Sequence, residues 1–267
     1  MASQPAASQP SARTLPDTIP ASVARFIDAE IAASTTDFSD LRAVFLNGTL
    51  TRSPGASHTD HLIDIAGHIL EGVGARVDTI RTVDHDFPPG VYPDMREQGW
   101  ARDDFPDLYQ QLIAPAHIVV LATPIWLGDQ SSMTRLMIER LYGYSGQVND
   151  AGQWSYYGKV GGALVTGNED GAKHCAAQLL YALSHIGFTI PPQTDAYWVG
   201  EAGPGPSYLD DGAGSTNHWT TRNTVFATWN LLHAARRITD AGGIPAHGNV
   251  SSNWDLSDPE HPNPEYR

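Results

Sequence analysis

AHIVVLATP, residues 116–124, is an almost unbroken apolar run stopped by Pro124, and IWLGDQSS, residues 125–132, follows it as a turn ending in two serines. Ile118 to Ala122 show no polar alternation, so both faces of this segment must be covered. That is the pattern of a strand inside a parallel sheet. Working outward, LRAVFLNGT (41–49), RVDTIRTV (76–83) and KVGGALVTG (159–167) read as further strands, and Thr189 with Ala196 to Val199 as a last extended piece. Helical spacing fills the gaps over Thr59 to Glu71, Phe105 to Ala114, Ser132 to Leu141 and Ala172 to Ile186, with a long helix from His218 to Ala241. Strand and helix in strict alternation predict an α/β chain with a doubly wound five-stranded parallel sheet, because right-handed crossovers lay helices on both faces.

The ends differ from this middle. Residues 1–16 are Ala, Ser, Pro and Gln in low complexity and are expected to be disordered, whereas 17–40 carry Val23, Phe26, Ile27 and Ile31 at helical spacing and form an N-terminal helical extension. The domain proper is expected over 41–247, and the Pro-, Asn- and Asp-rich stretch 248–267 as an extended tail.

The chain has 267 residues and a net charge of −14 from 16 basic and 30 acidic side chains, which opposes binding to nucleic acid or an anionic membrane. Cys175 is the one cysteine, so multi-thiolate metal sites and intrachain disulfides are excluded. No secretory h-region and no bilayer-length apolar run are present, and a reducing cytoplasm is the expected home.

In a doubly wound sheet, ligands bind beyond the carboxyl ends of the strands, so the loops after residues 48, 123 and 166 are expected to converge. The first, NGTLTRSPGASHT (47–59), offers hydroxyls at Thr49, Ser57 and Thr59, the cation Arg52 and a helix start, a set suited to a phosphate monoester. It has neither GxxxxGK[ST] nor GxGxxG, which speaks against a nucleoside triphosphate or a Rossmann-type dinucleotide. Its hydroxyls serve equally well as helix caps. The second loop places Ile125 and Trp126 where exposure is wasteful unless a flat ligand covers them; the alternative is that Trp126 packs into the core. The third, TGNEDG (166–171), brings flexible Gly167 and Gly171 together with Asn168 and Asp170, either of which could cap the next helix.

Other constellations are weaker. His58 and His61 have i, i+3 spacing, but no third clustered ligand completes a metal site, and none is expected. His174 and Cys175 suggest a nucleophile pair without an Asp or Asn partner that can be placed from sequence, and GxSxG is absent.

Taken together, NGTLTRSPGASHT, TPIWLGDQSSMTRLMIERLYG (123–143) and TGNEDGAKHCAAQLLYALSHIGFTIPP (166–192) resemble the NAD(P)H-dependent FMN reductase and multimeric flavodoxin family, which includes the tryptophan-repressor-binding-protein type of quinone reductases. The likeness runs from Arg42 to Leu232. It implies a flavodoxin-like fold, FMN as cofactor, NAD(P)H as co-substrate, a small acceptor such as a quinone or free flavin, and a homodimer or homotetramer. By the same likeness Thr49, Arg52, Ser57 and Thr59 hold the phosphate, and Pro124, Ile125, Trp126, Leu127 and Gly128 line the ribityl chain and one ring edge. Thr166, Gly167, Asn168 and Glu169 then meet the other edge, and no acid–base residue is required. The cysteine-free DHDFPPG (84–90) departs from the iron–sulfur branch. Tyr197 and Trp198 suit either a cap over a neighbouring subunit's flavin or an edge strand, and Arg52, Arg135 and Arg140 are the candidates for a 2′-phosphate. Two alternatives stay open: a flavodoxin-type electron carrier indifferent to nicotinamides, and a flavin-free module on the same fold.

Overall fold

The computed structural model describes residues 13–203 and 205–254. Strands β1 (Arg42–Asn47), β2 (Arg76–Arg81), β3 (Ile118–Trp126), β5 (Val160–Gly167) and β6 (Asp195–Val199) pair in parallel in the order β2-β1-β3-β5-β6. Strand order reverses between β1 and β3, which makes their shared carboxyl rim the topological switch point. In β1, β3 and β5 alternate residues serve opposite faces. Ala43, Phe45, Val120 and Leu164 enter one core, and Val44, Leu46, Val119 and Val165 the other. Helices α1 (Ala21–Ala33), α2 (His58–Gly72) and α6 (His218–Asp240) cover the first face; α3 (Phe105–Leu108), α4 (Ser132–Tyr142) and α5 (Ala172–His185) cover the second.

Several elements depart from the sequence reading. Phe105 to Ala114 is one α turn followed by a wide π turn over Tyr109–Ile113, which lets Tyr109 stack on Tyr144 at 3.6 Å between ring centroids. β3 does not stop at Pro124. It continues to Trp126, then folds back through the two-residue β4 (Asp129–Gln130) in an antiparallel hairpin pairing Ile125 with Gln130. Leu127 and Gly128 at the tip have φ of 54° and 77°, the left-handed pair that a tight hairpin needs. β2 is shorter than expected and ends in a 3₁₀ turn over Thr82–Asp84, while Thr189 makes only an isolated bridge to Val160.

Of the stretch expected to be disordered, residues 13–16 are described, and Arg13 is held: its guanidinium donates to Thr79 Oγ1 at 2.8 Å and pairs with Asp64 and Glu71. Near the other end Ser251–Trp254 form a 3₁₀ turn; residues 255–267 of the expected extended tail lie outside the described residues.

The irregular segment between β2 and α3 is organised by one buried ion pair. Arg140, fully buried on α4, donates to Asp103 Oδ2 at 2.5 Å and to the carbonyls of Tyr92 and Pro93 at 2.8 and 2.9 Å, and its guanidinium lies over the Phe105 ring. Asp103 also accepts from the N–H groups of Met95 and Phe105. Burial pulls the Arg140 pKa down and the Asp103 carboxylate opposes that shift. Removing the carboxylate leaves a buried charge without its counter-ion. Asp103→Ala is therefore expected to destabilise the fold by about 3–5 kcal/mol, measured by urea unfolding; a loss of a few tenths would show that the pair is not the anchor of this segment.

Candidate functional site

Three loops leave β1, β3 and β5 at the same rim, and each pair of them is fastened by a contact that only small or hydroxylated residues permit. Between the first and second loops, Ser131 Oγ donates to Gly48 O at 2.6 Å, and a Cβ on Gly48 would fall 1.8 Å from Thr134 Oγ1. Between the second and third, a Cβ on Gly171 would lie 2.4 Å from Gly128 O, and one on Gly167 would meet the Ile125 side chain at 2.8 Å. Between the first and third, the buried hydroxyls of Thr59 and Thr166 share a hydrogen bond of 2.9 Å.

The first loop is also tied from β2. Arg81 donates to Thr51 O at 3.0 Å and Gly55 O at 2.8 Å and pairs with Asp60, while Ser53 donates to Asp84 through its N–H and hydroxyl. Asn47, fully buried at the end of β1, accepts from Thr49 N–H at 2.9 Å and donates to Asp60 Oδ1 at 2.5 Å. Asp60 is thereby neutralised at a helix start that would otherwise carry its full negative charge. Ser57 caps α2 by accepting from Asp60 N–H, and the N–H groups of His58 and Thr59 at the first turn have no intrahelical acceptor. α5 begins at Gly171 without a side-chain cap, so neither Asn168 nor Asp170 is used as a cap.

The convergence produces a cleft of about 250 Å³, lined by Pro124, Ile125 and Trp126 from the second loop and by Thr166, Gly167, Asn168 and Glu169 from the third. His58, Ser207 and Tyr208 complete the lining. Of the residues expected to meet the cofactor, Thr49, Arg52, Ser57, Thr59, Leu127 and Gly128 do not line the cleft, although Ser57 and Thr59 adjoin His58; Thr49, Ser57 and Thr59 are buried and Arg52 is exposed. Ile125 is a buried floor, not an exposed plate, whereas Trp126 is 39% and Leu127 96% exposed at the rim. One of the two hydroxyl protons of Thr59 and Thr166 is used in their mutual bond, so the pair offers a ligand a single donor.

Sequence reasoning gave no role to Ser207 or Tyr208, and weighed His58 only as a metal ligand, a role it rejected. His58 Nδ1 accepts from Leu209 N–H at 3.1 Å, which pins the segment after β6 onto the start of α2. Tyr208 is buried against Trp198, burial raises its phenol pKa well above the ordinary value, and its hydroxyl has no partner among the described residues. Trp198 is itself buried in the core of the edge strand β6, which removes it as a cap for a neighbouring subunit's flavin.

The remaining candidates are dispersed. Arg140 is locked to Asp103 and Arg135 pairs with Glu139, so neither offers a free guanidinium for a 2′-phosphate. His174 does have an acid partner, Asp129 at 3.6 Å from the hairpin, but Cys175 is fully buried and its thiol is pushed up to about 11 by burial. A protonated, enclosed thiol is no nucleophile.

Residues 41–202 match the family of NADPH-dependent FMN reductases. The chain belongs to that family. The reductase is 37% identical over 205 residues to the 8-demethyl-8-aminoriboflavin-5′-phosphate synthase of Streptomyces davaonensis, covering 75% of this chain and 79% of that one. A crystal structure of RosB with the bound intermediate 8-demethyl-8-formylriboflavin-5′-phosphate superimposes with a TM-score of 0.73 at 34% identity, covering 83% of this chain and 88% of that one. A protein of Mycobacterium bovis described as the divalent metal cation transporter MntH is 53% identical over 232 residues, 82% of this chain. The reductase spans only 34% of that relative's length, and among its described residues no helix is long and apolar enough to cross a membrane. The chain is thus a flavodoxin-like member of the NADPH-dependent FMN reductase family. The site suits FMN: a helix start whose first N–H groups lack intrahelical acceptors stands beside a cleft with an aromatic rim and a phenol without a partner among the described residues.

Two outcomes follow. Gly171→Ala forces the second and third loops apart and is expected to cost about 1–3 kcal/mol of stability. If about 1.4 kcal/mol of that appears in ligand binding, FMN affinity falls about tenfold by fluorescence titration; wild-type affinity would show that the loops need not touch. Cys175 is expected to resist a thiol reagent at pH 8 in the native protein and to react stoichiometrically in denaturant; rapid native labelling would contradict its enclosure.

Proposed function

We propose that the reductase passes a hydride from NADPH or NADH through FMN to a small flat acceptor, a quinone or a free flavin, that occupies the same slot. The observation that carries this reading is the cleft's asymmetry: a buried floor of Ile125 beside Gly167 lies beneath an edge where Trp126 remains open. An apolar rim of this kind favours a planar guest. When bound, FMN supplies the hydride chemistry, so the protein's task is placement and electronic tuning.

In this reading the N–H groups of His58 and Thr59, with Ser57, Thr49 and Arg52, hold the phosphate, and Trp126 and Asn168 flank the ring. Gly167 to Glu169 turn backbone and side-chain donors toward its polar edge, while Pro124, Leu127 and Gly128 shape the approach of the ribityl chain. None of these groups needs to move a proton. A homodimer or homotetramer is the assembly expected from the family likeness, measured by sedimentation. The acidic surface and the single buried thiol suit a reducing cytoplasm.

The likeness to RosB with its bound flavin phosphate supports a second reading, in which the flavin phosphate is itself the molecule that is changed. Mass spectrometry separates the two: FMN recovered unchanged after many turnovers with a quinone favours the reductase reading, and an altered flavin mass favours the second. Under nitrogen, NADPH or NADH is expected to bleach the oxidised flavin band, and a quinone to restore it. Trp126→Ala is expected to weaken binding of the planar guest by about 1 kcal/mol, roughly fivefold; no bleaching by either nicotinamide sinks the proposal.

A further inference from the structure

Arg140 is locked to Asp103 and Arg135 lies beside Glu139, which leaves other cations as candidates for the choice between NADPH and NADH. Arg13, Arg76, Arg81, Arg96, Arg102, Arg135, Arg140 and Arg236 all sit in ion pairs. Several other described cations, Arg52 among them, sit in no ion pair with another described residue, and two of these, Lys173 and Arg222, line one cavity of about 530 Å³ on the outer side of β6. Against the Asp195 carboxylate in the same wall, Lys173 and Arg222 leave this cavity with an excess of positive charge in a chain of net charge −14.

The remaining walls have a definite chemistry. Tyr197 and Trp219 approach to 5.0 Å between ring centroids and offer aromatic surface. Asp195 and Gln193 supply hydrogen-bonding groups, and Gln193 is held there with φ of 52°, a conformation that disfavours its side chain. Stacking surface, two cations and a carboxylate that can accept from an exocyclic amine together match an adenosine bearing a phosphate monoester.

Position connects this cavity to the cleft. Glu169 lines the cleft and Lys173 the cavity, four residues further along, where α5 begins. Tyr197 of β6 stands beside Val165 of β5, and Val199 beside Gly167. The cavity's Tyr197 end therefore lies nearest the cleft, one strand spacing of roughly 5 Å across the sheet and about 7 Å back along it from Gly167.

We propose that this cavity receives the 2′-phosphoadenosine end of the electron donor, with Lys173 and Arg222 on the 2′-phosphate and the base against Trp219 and Tyr197, so that these two cations set the preference for NADPH over NADH. The proposal rests on the chain's use of a nicotinamide donor. Its test is calorimetric titration of the FMN-loaded full chain with 2′,5′-ADP and with 5′-AMP, in wild type and in the double variant Lys173→Ala, Arg222→Ala. Wild type is expected to bind 2′,5′-ADP about tenfold or more tighter than 5′-AMP, and the double variant to lose that difference. In parallel, the ratio of kcat/KM for NADPH to that for NADH is expected to fall about tenfold in the variant. Equal binding of the two nucleotides, no binding of 2′,5′-ADP, or an unchanged ratio in the variant would overturn the proposal. Failure of both nicotinamides to bleach wild-type flavin would strike the reductase reading instead, and the nucleotide titration would still decide this site.

Discussion

The site depends on close approach of glycine backbone to its neighbours at the carboxyl rim of the sheet. Gly48 against Thr134, Gly128 against Gly171 and Gly167 against Ile125 are contacts that leave no room for a β-carbon. Packed interiors do not absorb an added methyl group by small adjustments, so these contacts fix the three loops as one body. The hydrogen bond between Thr59 and Thr166 closes the same ring from the opposite face. A mononucleotide site needs its phosphate end and its ring end held in a constant relation, and here that relation is set before any ligand arrives.

Rigidity at the rim is supported from two sides. Arg81 and Asp84, at the end of β2, hold the first loop by its carbonyls and by Ser53. Beneath the irregular segment that follows, Arg140 and Asp103 act as the counterpart of a hydrophobic core for a stretch with little regular structure, since the guanidinium satisfies carbonyls that no strand or helix pairs. The segment after β6 adds a third wall, pinned by His58 and wedged by Tyr208 against Trp198. Gly214 permits that wedge, because a Cβ there would meet the Tyr208 ring at 2.0 Å.

The parallel sheet and its order of elements were legible because apolar strands buried on both faces carry the strongest signal a sequence offers. The three loops were legible as a set for the same reason: once the strands are placed, topology dictates where their ends meet. What escaped was contact between residues distant in sequence. Nothing local shows that Arg140 lies opposite Asp103, that Ile125 points down while Trp126 points out, or that Leu209 donates to His58 across 151 positions. The β4 hairpin was hidden by Pro124, which reads as a strand terminator although it sits beside Thr166 within the sheet. The π turn after α3 likewise has no signature, since its side chains keep a helical spacing.

Determining the structure of the FMN complex tests the central claim most directly. The account predicts the phosphate within hydrogen-bonding distance of the N–H groups at the start of α2 and the ring seated between Trp126 and Asn168, with the three loops unmoved. A flavin bound elsewhere, or loops that must separate to admit it, would contradict it.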